Sequence, residues 1–132
     1  MTYFLDTNIC VFYLNGNYPA LSEKFDSLSI SSMKIPSVVA AELYYGVEKS
    51  EKREYNLARY NEFLSVFEIV DFDLMASRVY GKIRAALEVK GQVIGSNDMM
   101  IAATVLTHDA VLVTNNIKEF KRIDNLVIDD WT

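Results

Sequence analysis

Short apolar runs alternate along the whole chain with longer stretches whose apolar residues recur at helical spacing. The runs predict strands at Tyr3–Leu5, Met33–Ile35, Ser65–Val70, Val111–Val113 and Leu126–Ile128. The stretches between them predict helices at Thr7–Leu14, Pro19–Leu28, Ser37–Glu48, Glu51–Phe63, Asp73–Lys90 and Gly95–Leu106, and a helical turn at Asn115–Phe120. Because strands and helices alternate, we expect a mainly parallel sheet with helices on both faces.

Length and composition fit a single globular domain over residues 1–132. Hydrophobic residues make up 51% of the chain, which excludes a disordered protein. The N-terminus lacks the features of a signal peptide and no apolar run reaches the length of a membrane span, so we expect a cytoplasmic protein. The single cysteine, Cys10, lies in an apolar run and is predicted to be a buried thiol.

The net charge of −5 argues against a basic nucleic-acid-binding surface. It does not exclude nucleic acid as a substrate, because acids clustered at a metal site lower the net charge and bound cations reverse the local sign.

Polar side chains follow two of the predicted strands directly. Asp6 follows the first strand, and Asn115 and Asn116 follow the strand Val111–Val113 after one intervening residue. Asp6 could simply cap the next helix, and the asparagines suit loops and caps. Alternatively, these groups lie at the carboxyl edge of a parallel sheet, where open α/β folds bind ligands.

Two more acids stand in or at the start of predicted helices. Glu42 lies in the run Val38–Val47, whose neighbouring positions on the same helix face are apolar or small. A charged residue in such a place is seldom fully buried unless it is paired or binds a metal, so we favour a functional acid over a narrow polar stripe. Asp98 lies in the first turn of a helix for which Ser96 is the predicted N-cap; it either complements the helix dipole or belongs to a site.

The combination of these residues indicates more than any one of them. Mg²⁺ and Mn²⁺ prefer oxygen ligands, and such ions can supply the hydroxide and the charge stabilisation that phosphodiester hydrolysis needs. We therefore interpret the chain as a magnesium-dependent nuclease built around Asp6, Glu42, Asp98 and Asn116. One cysteine and one histidine cannot form a zinc site, and the sequence has no glycine-rich phosphate loop and no Gly-x-Ser-x-Gly elbow.

Several motifs of the chain resemble a known family. They are Leu-Asp-Thr-Asn at 5–8, Ala-Glu-Leu-Tyr-Tyr-Gly at 41–46, Ile-Gly-Ser-Asn-Asp-Met-Met-Ile-Ala-Ala at 94–103, Leu-Val-Thr-Asn-Asn at 112–116 and the ending Glu119-Phe120 with Asp130-Trp131. In this order and at this spacing they resemble the PIN domain, and more closely the VapC ribonuclease toxins of bacterial toxin–antitoxin pairs.

This resemblance implies a three-layer α/β/α sandwich with a mainly parallel central sheet. Asp6, Glu42 and Asp98 would occupy the three acidic positions around Mg²⁺ or Mn²⁺. Asn116 would fall where many PIN domains carry a fourth acid, for which Glu119 could partly compensate. Hydrogen bonds from the side chains of Thr114 and Ser96 would support the site.

The resemblance also implies an activity and partners. The activity would be endonucleolytic cleavage of RNA by a metal-activated water, usually in a structured RNA such as a tRNA or an rRNA loop. The toxin would form a homodimer and would be held inactive by an antitoxin protein, in which an arginine placed among the acids is a natural inhibitor.

Three alternatives stay open at this point. A PIN-type nuclease with a role in RNA processing would have the same site. A phosphatase of the haloacid dehalogenase type also carries its nucleophile at the end of the first strand, but it needs a second Asp where this chain has Asn8. A non-catalytic binding module would be expected to have a broken acid set, whereas all three acids are present.

Overall fold

Five strands and seven α-helices alternate in the computed structural model, which describes all residues from Met1 to Thr132. The strands are β1 (Tyr3–Leu5), β2 (Met33–Pro36), β3 (Glu68–Val70), β4 (Val111–Val113) and β5 (Val127–Asp129). The helices are α1 (Thr7–Asn15), α2 (Pro19–Ser27), α3 (Ser37–Lys49), α4 (Arg53–Ser65), α5 (Leu74–Lys90), α6 (Ser96–Thr107) and α7 (Ile117–Phe120), with a 3-10 turn at Ile30–Ser32. No helix combines the length and the apolar character that crossing a bilayer requires.

The strands form one sheet in the order β3-β2-β1-β4-β5, and every neighbouring pair is parallel. The chain moves outward from β1 in one direction through β2 and β3, and then in the other direction through β4 and β5. Because parallel crossovers are right-handed, this reversal places α1 to α4 on one face of the sheet and α5 to α7 on the other. The predicted three-layer sandwich with a mainly parallel sheet is therefore confirmed.

The centre of the sheet is buried on both faces, as in other parallel sheets. Phe4 and Leu5 of β1 and Leu112 and Val113 of β4 are all fully inaccessible to solvent. Helix α6 is covered nearly as completely, since it packs along α5 on one side and meets α3 on the other. The carboxyl ends of β1 and β4 thus open onto an edge that is framed by the starts of α1 and α6 and by α3.

Two predicted N-caps are wrong. Ser37 and Ser96 are the first residues of α3 and α6, and the N-cap positions belong to Pro36 and Gly95. The Ser37 hydroxyl instead accepts a hydrogen bond from the Phe72 N–H over 3.1 Å, which ties the start of α3 to the segment after β3. Here a tertiary contact has overruled the local capping preference of serine.

One predicted strand is shorter than expected. The sequence predicted Ser65–Val70, but α4 continues to Ser65 and β3 covers only Glu68–Val70. The Ser65 hydroxyl donates to the Glu62 carbonyl, and the Phe67 N–H donates to the Leu64 carbonyl, so a helical turn extends into the apolar run. By contrast, the predicted stop of α5 at Gly91 is confirmed, because this glycine takes the left-handed conformation (φ 66°) that ends many helices.

Candidate metal site at the carboxyl edge of the sheet

Asp6 is fixed at the end of the central strand β1 through both of its carboxylate oxygens. Its own N–H continues the ladder to the Val113 carbonyl. Oδ1 accepts from the Thr7 N–H over 2.8 Å, which makes Asp6 the N-cap of α1, and Oδ2 accepts from the Thr114 hydroxyl over 2.7 Å. The side chain is therefore both the helix cap and a buried carboxylate at the sheet edge, so the two interpretations of Asp6 are compatible.

Thr114 supports Asp6 from the neighbouring strand. It follows β4, is fully buried, and its N–H donates to the Asp129 carbonyl over 3.0 Å. Its hydroxyl accepts from the Asn116 N–H over 3.0 Å while it donates to Asp6. This chain of hydrogen bonds orients the hydroxyl proton towards Asp6, as the predicted supporting role of Thr114 requires.

Glu42 approaches the same edge from α3, where it is half-buried. Its Oε1 accepts a hydrogen bond from the Thr7 hydroxyl over 2.6 Å. Thr7 thus holds two acids at once, Asp6 through its backbone N–H and Glu42 through its side chain. The sequence analysis did not predict this bridge. The available signal was Thr7 itself, a residue with a hydroxyl group directly after the acid at the strand end.

Asp98 lies in the first turn of α6 and has no hydrogen-bond partner. Burial raises the pKa of its carboxyl group to about 6, and the charges of Asp6, Glu42 and Glu119 add to this rise. Burial likewise raises the pKa of Asp6, against the opposing hydrogen bonds from Thr114 and Thr7. Asp6 after β1, Glu42 on α3 and Glu119 on α7 therefore lie close enough to Asp98 on α6 for their charges to disfavour its ionised form.

Nothing in the chain neutralises this acidic cluster. The four ion pairs of the structure lie elsewhere and join Lys34 to Glu68, Arg53 to Glu48, Arg84 to Glu88 and Lys90 to Asp124. A half-buried group of carboxylates without a cationic side chain is costly, which is consistent with the raised pKa values of Asp6 and Asp98. Unpaired carboxylate oxygens are hard ligands, so the chemistry of this donor set fits Mg²⁺ or Mn²⁺.

The acids do not form a finished ligand cage, since no three of them have the spacing of a complete metal site. This arrangement still suits Mg²⁺, which usually keeps several waters and binds through one or two carboxylates rather than an all-protein cage.

The remaining predicted residues differ in how they relate to the cluster. Asn116 precedes α7 and is half-buried; its backbone contacts Thr114, but its side-chain amide makes no hydrogen bond. Glu119 on α7 is half-buried and contributes to the raised pKa of Asp98. Ser96 is exposed and makes no side-chain hydrogen bond, because Gly95 takes the cap position; the structure therefore provides no contact for its predicted supporting role.

Comparisons with known proteins agree with this geometry. The PIN domain model matches residues 3–126. Ribonuclease VapC2 of Rickettsia felis is 46% identical over 132 residues, which cover 99% of this chain and 98% of the relative. The tRNA(fMet)-specific endonuclease VapC of Salmonella typhimurium is 41% identical over 131 residues, with coverage of 99% and 98%.

Solved structures of the same group superpose closely on this chain. VapBC2 from Rickettsia felis, bound to a DNA fragment from its promoter, matches with a TM-score of 0.93 and 45% identity, covering all of both chains. DNA-bound VapBC from Salmonella typhimurium matches with a TM-score of 0.94 and 41% identity, covering 100% of this chain and 99% of that one.

Proposed function

Because this chain belongs to the PIN domain family, in its VapC ribonuclease branch, we propose that it is a Mg²⁺- or Mn²⁺-dependent endoribonuclease and the toxin of a toxin–antitoxin pair. The observation that carries the proposal is the cluster of four carboxylates at the carboxyl edge of the sheet, to which the chain offers no cation. A nuclease site that works through Mg²⁺ or Mn²⁺ needs such unpaired oxygen ligands.

The metal would be held by three carboxylates, those of Asp6, Glu42 and Asp98. When bound, the ion supplies an activated water and offsets negative charge at phosphorus. Asp6 and Glu42 are held in place by hydrogen bonds from the Thr7 and Thr114 groups, so they provide a rigid half of the site. Asp98 makes no hydrogen bond, so its carboxylate would be able to bind the ion without losing another partner.

Asn116 and Glu119 would complete the site on its α7 side. The free amide of Asn116, at the position where many PIN domains carry a fourth acid, would orient a water or a phosphate oxygen, and the Glu119 carboxylate would partly compensate for the missing acid. Thr114 positions Asp6 through its hydroxyl. Ser96 would support the site from the first residue of α6, where its hydroxyl is exposed.

The substrate would be a structured RNA. The Salmonella typhimurium relative is a tRNA(fMet)-specific endonuclease, and at 41% identity over nearly the whole chain tRNA(fMet) is the RNA to test before rRNA. The acidic net charge means that affinity for RNA must come from bound metal and local contacts rather than from a broadly basic surface.

The partners would be an antitoxin protein and a second copy of this chain. The superposed structures are VapBC complexes, so the same fold is seen in assemblies with a second protein. An antitoxin arginine placed among Asp6, Glu42 and Asp98 would pair with the carboxylates that otherwise bind the metal. An antitoxin complex that keeps full metal occupancy and full RNA cleavage would contradict this mode of inhibition.

The decisive experiment is RNA cleavage by purified, antitoxin-free protein in Mg²⁺ or Mn²⁺. We expect tRNA(fMet) to be cut, and expect both EDTA and Asp98→Asn to abolish cutting. Cleavage that survives Asp98→Asn would refute the assigned site. Absence of cleavage of tRNA(fMet) and of total cellular RNA by folded protein would refute the nuclease proposal and favour a binding module.

A further inference from the structure

A cleft of about 400 Å³ opens beside the acidic cluster, between α3 and α6. Its lining consists of Val38, Ala41, Glu42, Tyr45, Asn97 and Met100. Glu42 belongs both to this lining and to the acidic cluster, so the cleft and the metal site are continuous. The cleft has the size of a small-ligand site, and it combines apolar walls with two polar side chains.

The shape of the cleft follows from the spacing of its residues. On α3 the lining positions follow an i, i+3, i+4, i+7 pattern that defines one helix face, and Tyr45 lies one turn beyond Glu42 on that face. On α6, Asn97 and Met100 lie on either side of Asp98 in sequence. Whatever occupies the cleft therefore lies next to the group that is bound at Glu42 and Asp98.

Tyr45 lines the cleft although 65% of it is exposed, so its ring is accessible to a ligand. The Lys49 ammonium group lies 4.8 Å from the centre of its ring, and Lys49 has no carboxylate partner. An exposed aromatic face with an adjoining free cation is the arrangement on which proteins stack unpaired nucleic acid bases while a cation meets the backbone.

From this geometry we infer that the cleft is a nucleobase subsite, in which Tyr45 stacks on an unpaired base that flanks the scissile phosphate. The inference rests on the proposed nuclease function and names how the same site holds its RNA. Met100 and Val38 provide the apolar remainder of the pocket, and the Asn97 amide can hydrogen-bond to a base edge. The subsite requires that the cut lie in a single-stranded segment, since a paired base cannot enter the cleft.

The polar lining favours RNA over a protein segment as the occupant. Glu42 and Asn97 interrupt the apolar walls, Glu42 also belongs to the acidic cluster, and Lys49 lies over the ring of the lining residue Tyr45. A phosphate at the proposed metal would lie against the acidic cluster, and the base one nucleotide away would lie against the polar and apolar lining of the cleft.

The test compares Tyr45→Ala, Tyr45→Phe and the control Tyr55→Ala in cleavage of an RNA that the wild type cuts. Tyr55 is 63% exposed, like Tyr45, but lies on α4 and does not line the cleft. We expect Tyr45→Ala to lower kcat/KM by about 5- to 150-fold, as loss of one stacked base would. Tyr45→Phe should stay within about twofold of the wild type, because a phenyl ring stacks equally well. Tyr55→Ala should also stay within about twofold, because Tyr55 does not line the cleft.

A second RNA separates stacking from a structural effect of the substitution. After the cut is mapped, an abasic residue is placed at either flanking nucleotide in turn. At one of these positions, loss of the base should slow the wild type as much as Tyr45→Ala does, and should not slow Tyr45→Ala further.

The possible outcomes distinguish the two proposals. If the wild type cuts no RNA, the nuclease proposal fails and the subsite fails with it. If the wild type and Tyr45→Ala cut the RNA equally well, the nuclease proposal stands and the subsite is refuted. The same conclusion follows if the abasic substitution slows Tyr45→Ala by the same factor as it slows the wild type. If Tyr45→Ala leaves cleavage unchanged but weakens inhibition by the antitoxin, the cleft is a protein-docking surface.

Discussion

The Thr7 hydroxyl donates a hydrogen bond to Glu42 Oε1 over 2.6 Å, across 35 positions of the sequence. The backbone N–H of the same residue donates to Asp6 Oδ1 over 2.8 Å. Thr7 therefore fixes the spacing of two carboxylates that repel each other, one at a strand end and one on a helix. The hydrogen bonds that Thr7 and Thr114 donate to Asp6 favour the ionised form of this acid, which is the form that binds metal.

Replacement of Thr7 by valine should lower RNA cleavage by 10- to 100-fold, as is usual when a partner of a metal ligand is lost. Valine keeps the size and branching of threonine but cannot orient Glu42. Thr7→Ser keeps the hydroxyl and should retain most of the activity. The measurement is kcat/KM as a function of Mg²⁺ concentration; equal curves for Thr7→Val and wild type would show that the bridge to Glu42 is dispensable.

Asp98→Asn should stabilise the metal-free protein at neutral pH although it abolishes cleavage. Ionised Asp98 is opposed by burial and by three neighbouring acids, and asparagine removes the charge at nearly constant shape. We expect a gain on the order of 1 kcal/mol in the free energy of unfolding, because solvent screens a half-buried charge. Urea unfolding in EDTA at pH 7.5 measures it; a loss of stability would show that Asp98 has a structural partner.

The stability of the metal-free wild type should fall as pH rises from about 4 to about 6. The folded pKa of Asp98, about 6, exceeds its ordinary value of 3.8, so in this range the folded state binds more protons than the unfolded state. The penalty is complete above pH 6 and absent below pH 4, and Asp98→Asn should not show this component. Urea midpoints in EDTA at pH 5 and pH 7 for the two proteins test the difference.

Mg²⁺ should raise the melting temperature of the wild type more at pH 7.5 than at pH 5.5. The ion binds deprotonated carboxylates, so the raised pKa of Asp98 weakens binding on the acidic side. A concentration of about 100 times Kd would stabilise the folded state by roughly 2.7 kcal/mol. Thermal unfolding with and without Mg²⁺ measures the shift, with Asp98→Asn as the control that should respond weakly; an equal shift in both proteins would place the ion elsewhere.

Cys10 should not react with thiol reagents while the protein is folded. It is fully buried on α1, and burial, with a smaller effect of the Asp6 charge, raises the pKa of its thiol far above the ordinary value. We expect labelling by a disulfide reagent only in denaturant, and no effect of the reagent on RNA cleavage. Rapid labelling of the native protein, followed by absorbance, would contradict the buried position.

The sequence was most informative where one physical signal dominated. Strands β1 and β4 are unbroken apolar runs and appear at the predicted residues, and the Glu42 carboxylate in its apolar helix does face the site. The rule that parallel strands present their carboxyl ends at one edge predicted a shared edge only for Asp6 and Asn116. That Glu42 and Asp98, which lie on helices, belong to the same site was implied by the resemblance to the PIN domain.

The sequence was least informative where two local preferences competed or where a contact joined distant residues. Serine is a favoured N-cap residue, which suggested Ser37 and Ser96, but the N-cap positions of α3 and α6 are occupied by Pro36 and Gly95. The bridge from Thr7 to Glu42 and the cleft beneath Tyr45 depend on how α3 sits against α1 and α6, which periodicity alone does not specify.

The central position of β1 has a consequence for synthesis of the protein. Its first residues leave the ribosome earliest, but one neighbour of β1 in the sheet is β4, and Asp6 receives its buried hydrogen bond from Thr114, 108 positions later. A nascent chain that ends before β4 already contains Asp6, Glu42 and Asp98, yet β1 then has one unpaired edge and Asp6 lacks one of its two donors, the Thr114 hydroxyl. If the proposed activity is right, products truncated before β4 should therefore lack the ordered acidic site and should not cleave RNA.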